Sequence, residues 1–369
     1  MGKVLSRVML RGALAHIRHV TPVRPGVAEG LVARVYAQVE RDFGMLAPPI
    51  VLHSPAAEPL AASWTVLRES LLAAGRVPRP VKEAVATAVS LGNACPYCVD
   101  VHQATMDGLV PGRPAAQIAD DHLDAIADPE LRRAAAWARA TGTRDAAARS
   151  APPLPPEQTG ELVAVAVTFH YLNRMVNVFL GESPLPPEVP AGARGGLMRL
   201  FGLLMRPAAR RSVPPGASLD LLPAAPLPPD LSWAGTQALA AAFARAAAAA
   251  ERAGRRSVPQ PVRELVVARL EAWTGEPLGP SRAWAAAAVA GLPAAQRPAG
   301  RLALLTAMAS YQVDQSVVDE FRAGTPDDRA LVELTSWASF TAARRAGAWI
   351  VQAPEFHDQV TRPVRGGAL

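Results

Sequence analysis

A chain of 369 residues, half of them hydrophobic and only 19% charged, has apolar surface enough for one large core or two smaller ones, which excludes a disordered polymer. Alanine and arginine are abundant while β-branched and aromatic runs are sparse, so an all-α fold is expected. The net charge of +6 is confined to two short stretches, outside which acids slightly outnumber bases; with so few aromatic residues this excludes a nucleic-acid groove.

The first basic stretch, 1–28, carries Lys3, Arg7, Arg11, Arg18 and Arg24 and no acid. Interleaved with Leu, Val and Met, these residues read as an amphipathic helix packed on the body with its arginines solvated. Membrane-surface contact or an acidic partner is the other reading. Arg7, Arg11 and Arg18 interrupt any signal-peptide core, and no run approaches 18 consecutive apolar residues. The expectation is therefore a cytoplasmic chain without a membrane span.

Val77-Pro78-Arg79-Pro80 predicts a helix start, since proline is tolerated in the first turn and rejected later. That helix runs through Lys82 to about Leu91 and stops near Gly92-Asn93. A second helix is predicted from Cys95-Pro96 past Met106 to Gly108. Cys95 then sits at a helix N-terminus, where free N–H groups and the dipole favour a thiolate. Cys98 lies one turn further in, within disulfide reach. His102, four residues beyond, shares its face and can take the Cys98 proton. Glu83, on the preceding helix, would fold back to orient His102 or pass a proton through water. A cysteine pair, a base and a carboxylate together make a redox site with its own proton relay.

Other readings of these residues are available. Cys-Pro-Tyr-Cys also occurs in glutaredoxins, but there a strand leads into it, and here the preceding pattern is helical. A zinc site would use Cys95, Cys98 and His102, with Glu83 as a fourth ligand. The attacking cysteine is left open: the helix N-terminus favours Cys95 and the imidazole favours Cys98.

Proline clusters at 152–156, 184–190 and 213–229 mark loops or linkers. Between the first two, His170, Asn173, Arg174 and Asn177 fall at i, i+3, i+4 and i+7, a polar stripe on an apolar helix. The stripe either makes hydrogen bonds across an interface or, with Tyr97, lines a substrate pocket above the cysteines. The second basic stretch, 189–219, holds Arg194, Arg199, Arg206, Arg210 and Arg211 and no acid. It has the same two readings as the first.

The second half repeats landmarks of the first. Val258-Pro259-Gln260-Pro261-Val262-Arg263-Glu264 matches Val77 to Glu83, and Ser232-Trp233 matches Ser63-Trp64. Counting equal intervals from Glu264 lands on Glu276, Gly279 and Ala283, which cannot form a disulfide or supply an imidazole. The expected organisation is a helical domain with the cysteine site over 1–187, a basic, proline-rich connection over 188–229, and a degenerate helical copy over 230–369. The copies would be related by a pseudo-two-fold axis, with the second silent and completing the packing of the first.

Glu-x11-Cys-x2-Cys-x3-His resembles the signature of the alkylhydroperoxidase D branch of the carboxymuconolactone decarboxylase superfamily. It matches at Glu83, Cys95, Cys98 and His102, within a resemblance covering roughly 60–180. The resemblance implies an all-helical fold, usually in homo-oligomers. It implies a peroxidase or disulfide oxidoreductase with no tightly bound organic cofactor, a small peroxide or disulfide substrate and a thiol electron donor. It further implies that Cys98 attacks peroxide and that Cys95 resolves the resulting sulfenic acid as a disulfide. The decarboxylases that name the superfamily lack the cysteine pair, so a biosynthetic enzyme acting on an organic substrate is the lesser expectation. Some members carry histidine directly before the second cysteine, where this chain has Tyr97.

Overall fold

The computed structural model describes Leu14 and residues 16–150, 152–186 and 188–351; Lys3, Arg7 and Arg11 of the first basic stretch lie outside them. Among the described residues the fold is all-helical, with one isolated β-bridge between Ala73 and Val213. In the first half α1 spans Gly30–Asp42, α2 Ala57–Leu67, α3 Arg79–Gly92, α4 Pro96–Asp107, α5 Pro129–Ala140 and α6 Pro156–Phe179. Then α7 spans Ala191–Ala209, followed by α8 Gln237–Ser257, α9 Gln260–Ala272, α10 Arg297–Met308, α11 Gln315–Arg322 and α12 Asp328–Val351.

Local chemistry sets several of these boundaries. Both Val-Pro-x-Pro turns start helices in the same way: Pro78 (φ −60°, ψ 145°) precedes α3 and Pro259 (φ −54°, ψ 141°) precedes α9. The α5 N-terminus is capped by Asp128, whose carboxylate accepts the Glu130 and Leu131 N–H groups. Thr236 and Asp314 cap α8 and α11 by the same device.

α2 packs along α8 and α6 along α12, and one continuous apolar core runs through both halves. At the α6–α12 contact a Cβ on Gly347 would lie 2.9 Å from Val167, so a bare backbone is needed there. The Tyr171 hydroxyl bridges the halves, 2.9 Å from His53 Nε2 and 2.9 Å from Ser336 Oγ. Burial lowers the His53 pKa to about 3, so that ring is neutral. By length and composition α6 could cross a membrane, yet 94% of its most apolar window is buried inside the protein.

The segment between the halves covers the cysteine helix. α7 crosses α4 so closely that a Cβ on Gly202 would lie 2.2 Å from the Ala104 carbonyl oxygen. Beyond α7 the chain is latched: Glu69 accepts the Gly216 N–H and the Ser218 hydroxyl, both at 2.7 Å, and Arg68 donates to the Pro214 carbonyl. Arg68 and Glu69 are buried and paired with each other at 2.6 Å, which makes this anchor costly to break.

Candidate active site

Cys95 is delivered by a tight turn at the end of α3. Ala94 takes a left-handed conformation (φ 49°), its N–H reaching the Leu91 carbonyl while the Cys95 N–H reaches Ser90. This 6→1, 5→2 pattern is the Schellman arrangement, with alanine where glycine is usual. Cys95 is the N-cap of α4 and Pro96 occupies its first turn. Both cysteines are free thiols and buried.

The carboxylate folds back as the spacing requires. Glu83 Oε2 lies 2.7 Å from His102 Nδ1, and Glu83 Oε1 lies 2.6 Å from Arg79 Nη2. Glu83 is fully buried. Burial alone would raise its pKa, but Arg79 and then His102 outweigh burial and hold it below the usual carboxylate range. An ionised Glu83 accepts from His102 Nδ1–H, which leaves Nε2 as the basic nitrogen. The Phe169 ring meets the imidazole edge-on at 4.6 Å and limits its rotation.

A cavity of about 350 Å³ opens over this relay, with Tyr97, Cys98, His102 and Phe169 in its wall. Apart from His16 the remaining wall is apolar, and Leu197, Leu200 and Phe201 of α7 belong to it. Cys98 and His102 reach the cavity, whereas Cys95 lies behind it. Burial raises the Cys98 thiol well above its ordinary range, the neighbouring Cys95 raises it further, and a hydrogen bond from Asn173 opposes both. At rest Cys98 is therefore a thiol, and it needs a base to become a nucleophile.

The polar stripe of α6 does not line the cavity. His170, Asn173 and Asn177 hold the cysteine turn from within, while Arg174 turns toward α10. The Asn93 amide is 2.9 Å from Asn173 Oδ1 and 3.1 Å from His170 Nδ1, Asn173 donates to Ser90 Oγ, and Asn177 donates to the Asn93 carbonyl. His170 Nε2 lies 3.0 Å from the Thr141 hydroxyl; burial first and Arg174 second lower its pKa to about 3, so it serves as a neutral bridge. Arg174 donates to the Ala307 carbonyl at the end of α10, where the helix dipole suits a cation. Burial lowers its pKa to about 10, still charged at neutral pH.

Sequence reasoning missed Arg79 and the α7 roof. Arg79 stands four residues before Glu83, a spacing that puts both on one helical face, although the Val-Pro-x-Pro pattern marks it only as part of a turn. Nothing in the composition of 189–219 told which surface α7 would cover. In the second half Glu264 is exposed and held by Gln260, Glu276 is exposed, Gly279 lies in a loop, and Ala283 opens a helix of only six residues, Ala283–Ala288. Among the described residues no group of three or more His, Cys, Asp or Glu side chains is arranged to hold a metal ion, Cys95, Cys98 and His102 included.

The profile of the carboxymuconolactone decarboxylase family matches residues 58–140, which contain Glu83, both cysteines and His102. A Mycobacterium tuberculosis protein named alkyl hydroperoxide reductase is 39% identical over 351 residues, covering 94% of this chain and 98% of the relative. No solved structure matches the chain. On the strength of a relative aligned over nearly its whole length and a family match centred on the cysteine helix, the chain belongs to the carboxymuconolactone decarboxylase family.

Proposed function

We propose that the protein is a thiol-dependent hydroperoxidase working through Cys98 and Cys95. The observation that carries this reading is a cysteine and a histidine in the wall of one apolar cavity, the histidine bonded at 2.7 Å to a buried carboxylate and a second cysteine behind the first. The relative named alkyl hydroperoxide reductase supports it independently.

In this reading His102 Nε2 takes the Cys98 proton, and Glu83, kept ionised by Arg79, stabilises the imidazolium. The Cys98 thiolate attacks the terminal oxygen of a hydroperoxide, the O–O bond breaks, and the departing alkoxide takes the proton back from His102 to leave as an alcohol. Cys98 is now a sulfenic acid. The Cys95 thiol attacks it, a disulfide forms, and the hydroxyl leaves as water with the Cys95 proton. An external dithiol then reduces the disulfide and is itself oxidised. The apolar wall favours an organic hydroperoxide over hydrogen peroxide.

The test is hydroperoxide consumption by wild type, Cys98→Ser and Cys95→Ser, with intact mass read after one equivalent of oxidant. Wild type should lose about two mass units as the disulfide forms. Cys98→Ser should be inactive, and Cys95→Ser should stop at the sulfenic acid. Turnover at the wild-type rate in Cys98→Ser would refute the proposal.

A further inference from the structure

We infer that the exposed face of α7 docks on an anionic lipid bilayer, and that the cavity beneath it receives hydroperoxidised acyl chains from that bilayer. The substrate half of this inference rests on the peroxidase reading; the docking half does not.

α7 is 19 residues long, about 28 Å at 1.5 Å per residue, and it has three faces. Met205 and Ala209 are buried and Gly202 presses on α4, so this side is packed. Leu197, Leu200, Leu203 and Leu204 are 40%, 52%, 59% and 49% exposed. Leu197, Leu200 and Leu204 follow i, i+3, i+7 spacing and form one apolar ridge. Arg199, Arg206 and Arg210, at i, i+7 and i+11, form the stripe between that ridge and the packed side. All three arginines are exposed, and among the described residues none of them has a carboxylate within ion-pair distance. An apolar ridge flanked by free arginines is the composition of a helix lying in a membrane interface.

The ridge and the cavity are continuous. Leu197 and Leu200 belong both to the cavity wall and to the protein surface, so an acyl chain lying on the ridge is set beside the cavity that Cys98 lines. Charge decides between a bilayer and a second copy of the protein. The stretch 189–219 has no acid, so a symmetric contact of α7 with α7 would set arginine against arginine. Lipid phosphates supply the missing negative charge, worth about 1 kcal/mol per arginine near an anionic surface.

The full chain is sedimented with vesicles of phosphatidylcholine, alone and mixed with phosphatidylglycerol. Binding is expected only to the mixed vesicles and should weaken as salt is raised. Arg206→Gln/Arg210→Gln should lower that affinity about 30-fold, and Leu203→Gln/Leu204→Gln should also weaken it. None of these four side chains lines the cavity, so both double variants should reduce tert-butyl hydroperoxide in solution at the wild-type rate. They should lose turnover of phospholipid hydroperoxide presented in mixed vesicles. Equal binding to neutral vesicles, no binding to either, or a dimer that Leu203→Gln/Leu204→Gln dissociates would overturn the docking. Vesicle binding by a protein that turns over neither hydroperoxide would overturn the substrate half and the peroxidase reading, leaving the docking intact.

Discussion

Arg79 and Glu83 stand one helical turn apart on α3 with Nη2 and Oε1 at 2.6 Å, while the other oxygen of the same carboxylate holds His102. Arg79 is thereby a positioning residue for a base it does not touch. Because Glu83 has its pKa depressed in the fold, its charge stabilises the protein above the unfolded carboxylate pKa, and that stability is lost as pH falls through the lower folded value. Arg79→Gln removes the largest influence opposing burial, so the Glu83 pKa should rise. The acid limb of the pH–rate profile should move upward with it. An unmoved acid limb in Arg79→Gln would show that Glu83 is not coupled to the reaction.

The Cys98 thiol, raised by burial and by Cys95, makes a second pH prediction. Without its base, Cys98 should gain reactivity only as hydroxide supplies the deprotonation. In a Cys95→Ser background, His102→Gln should cut the alkylation rate at neutral pH by ~10²–10⁴-fold. The rate should then climb about tenfold per pH unit without levelling in the ordinary thiol range. A profile that levels near neutrality in His102→Gln would mean the thiolate is stabilised by something other than this imidazole.

Ala94 stores strain at the turn that delivers Cys95, since a left-handed φ costs a residue with a Cβ about 1–2 kcal/mol. Ala94→Gly relieves that strain but loosens the unfolded chain by about 0.4–1 kcal/mol, so a net gain below about 1.5 kcal/mol is expected. Ala94→Val should be destabilising, because β-branching at positive φ is worse still. Urea unfolding of the two variants checks the order, and Ala94→Val matching wild type would exclude the strained turn.

How much of this was legible in the sequence differs residue by residue. The Cys95–Cys98–His102 face follows from helical periodicity once Pro96 fixes the start of α4, so spacing alone carried it. Glu83 belongs to a separate helix, so its return to His102 was suggested by the chemistry of the cluster but rests on the turn between α3 and α4, which helical periodicity does not describe. The stripe from His170 to Asn177 was visible as polar, but its partners Asn93, Ser90 and Ala307 lie 77 or more residues away in the chain. No periodicity announces such a meeting. α7 was visible as basic and apolar, yet its position over the cavity depends on the Glu69 latch and the bare backbone at Gly202, which are tertiary facts.

The contact between the halves makes the last prediction. Tyr171 of α6 hydrogen-bonds Ser336 of α12, and around it α6 and α12 bury one shared core. If each half were a self-sufficient domain, removing this bond would loosen only the contact between them, and two unfolding steps would appear. With one core there is no boundary at which to stop, so calorimetry should show a single transition. Tyr171→Phe leaves the buried His53 and Ser336 groups without their partner, a loss of about 1–3 kcal/mol, and should lower that one transition as a whole. Tyr171→Phe/Ser336→Ala should cost less than the two single changes added together, since the residues share one bond. Two transitions, with only the first moved by Tyr171→Phe, would mean that the halves fold separately and that the second half is not needed to complete the first.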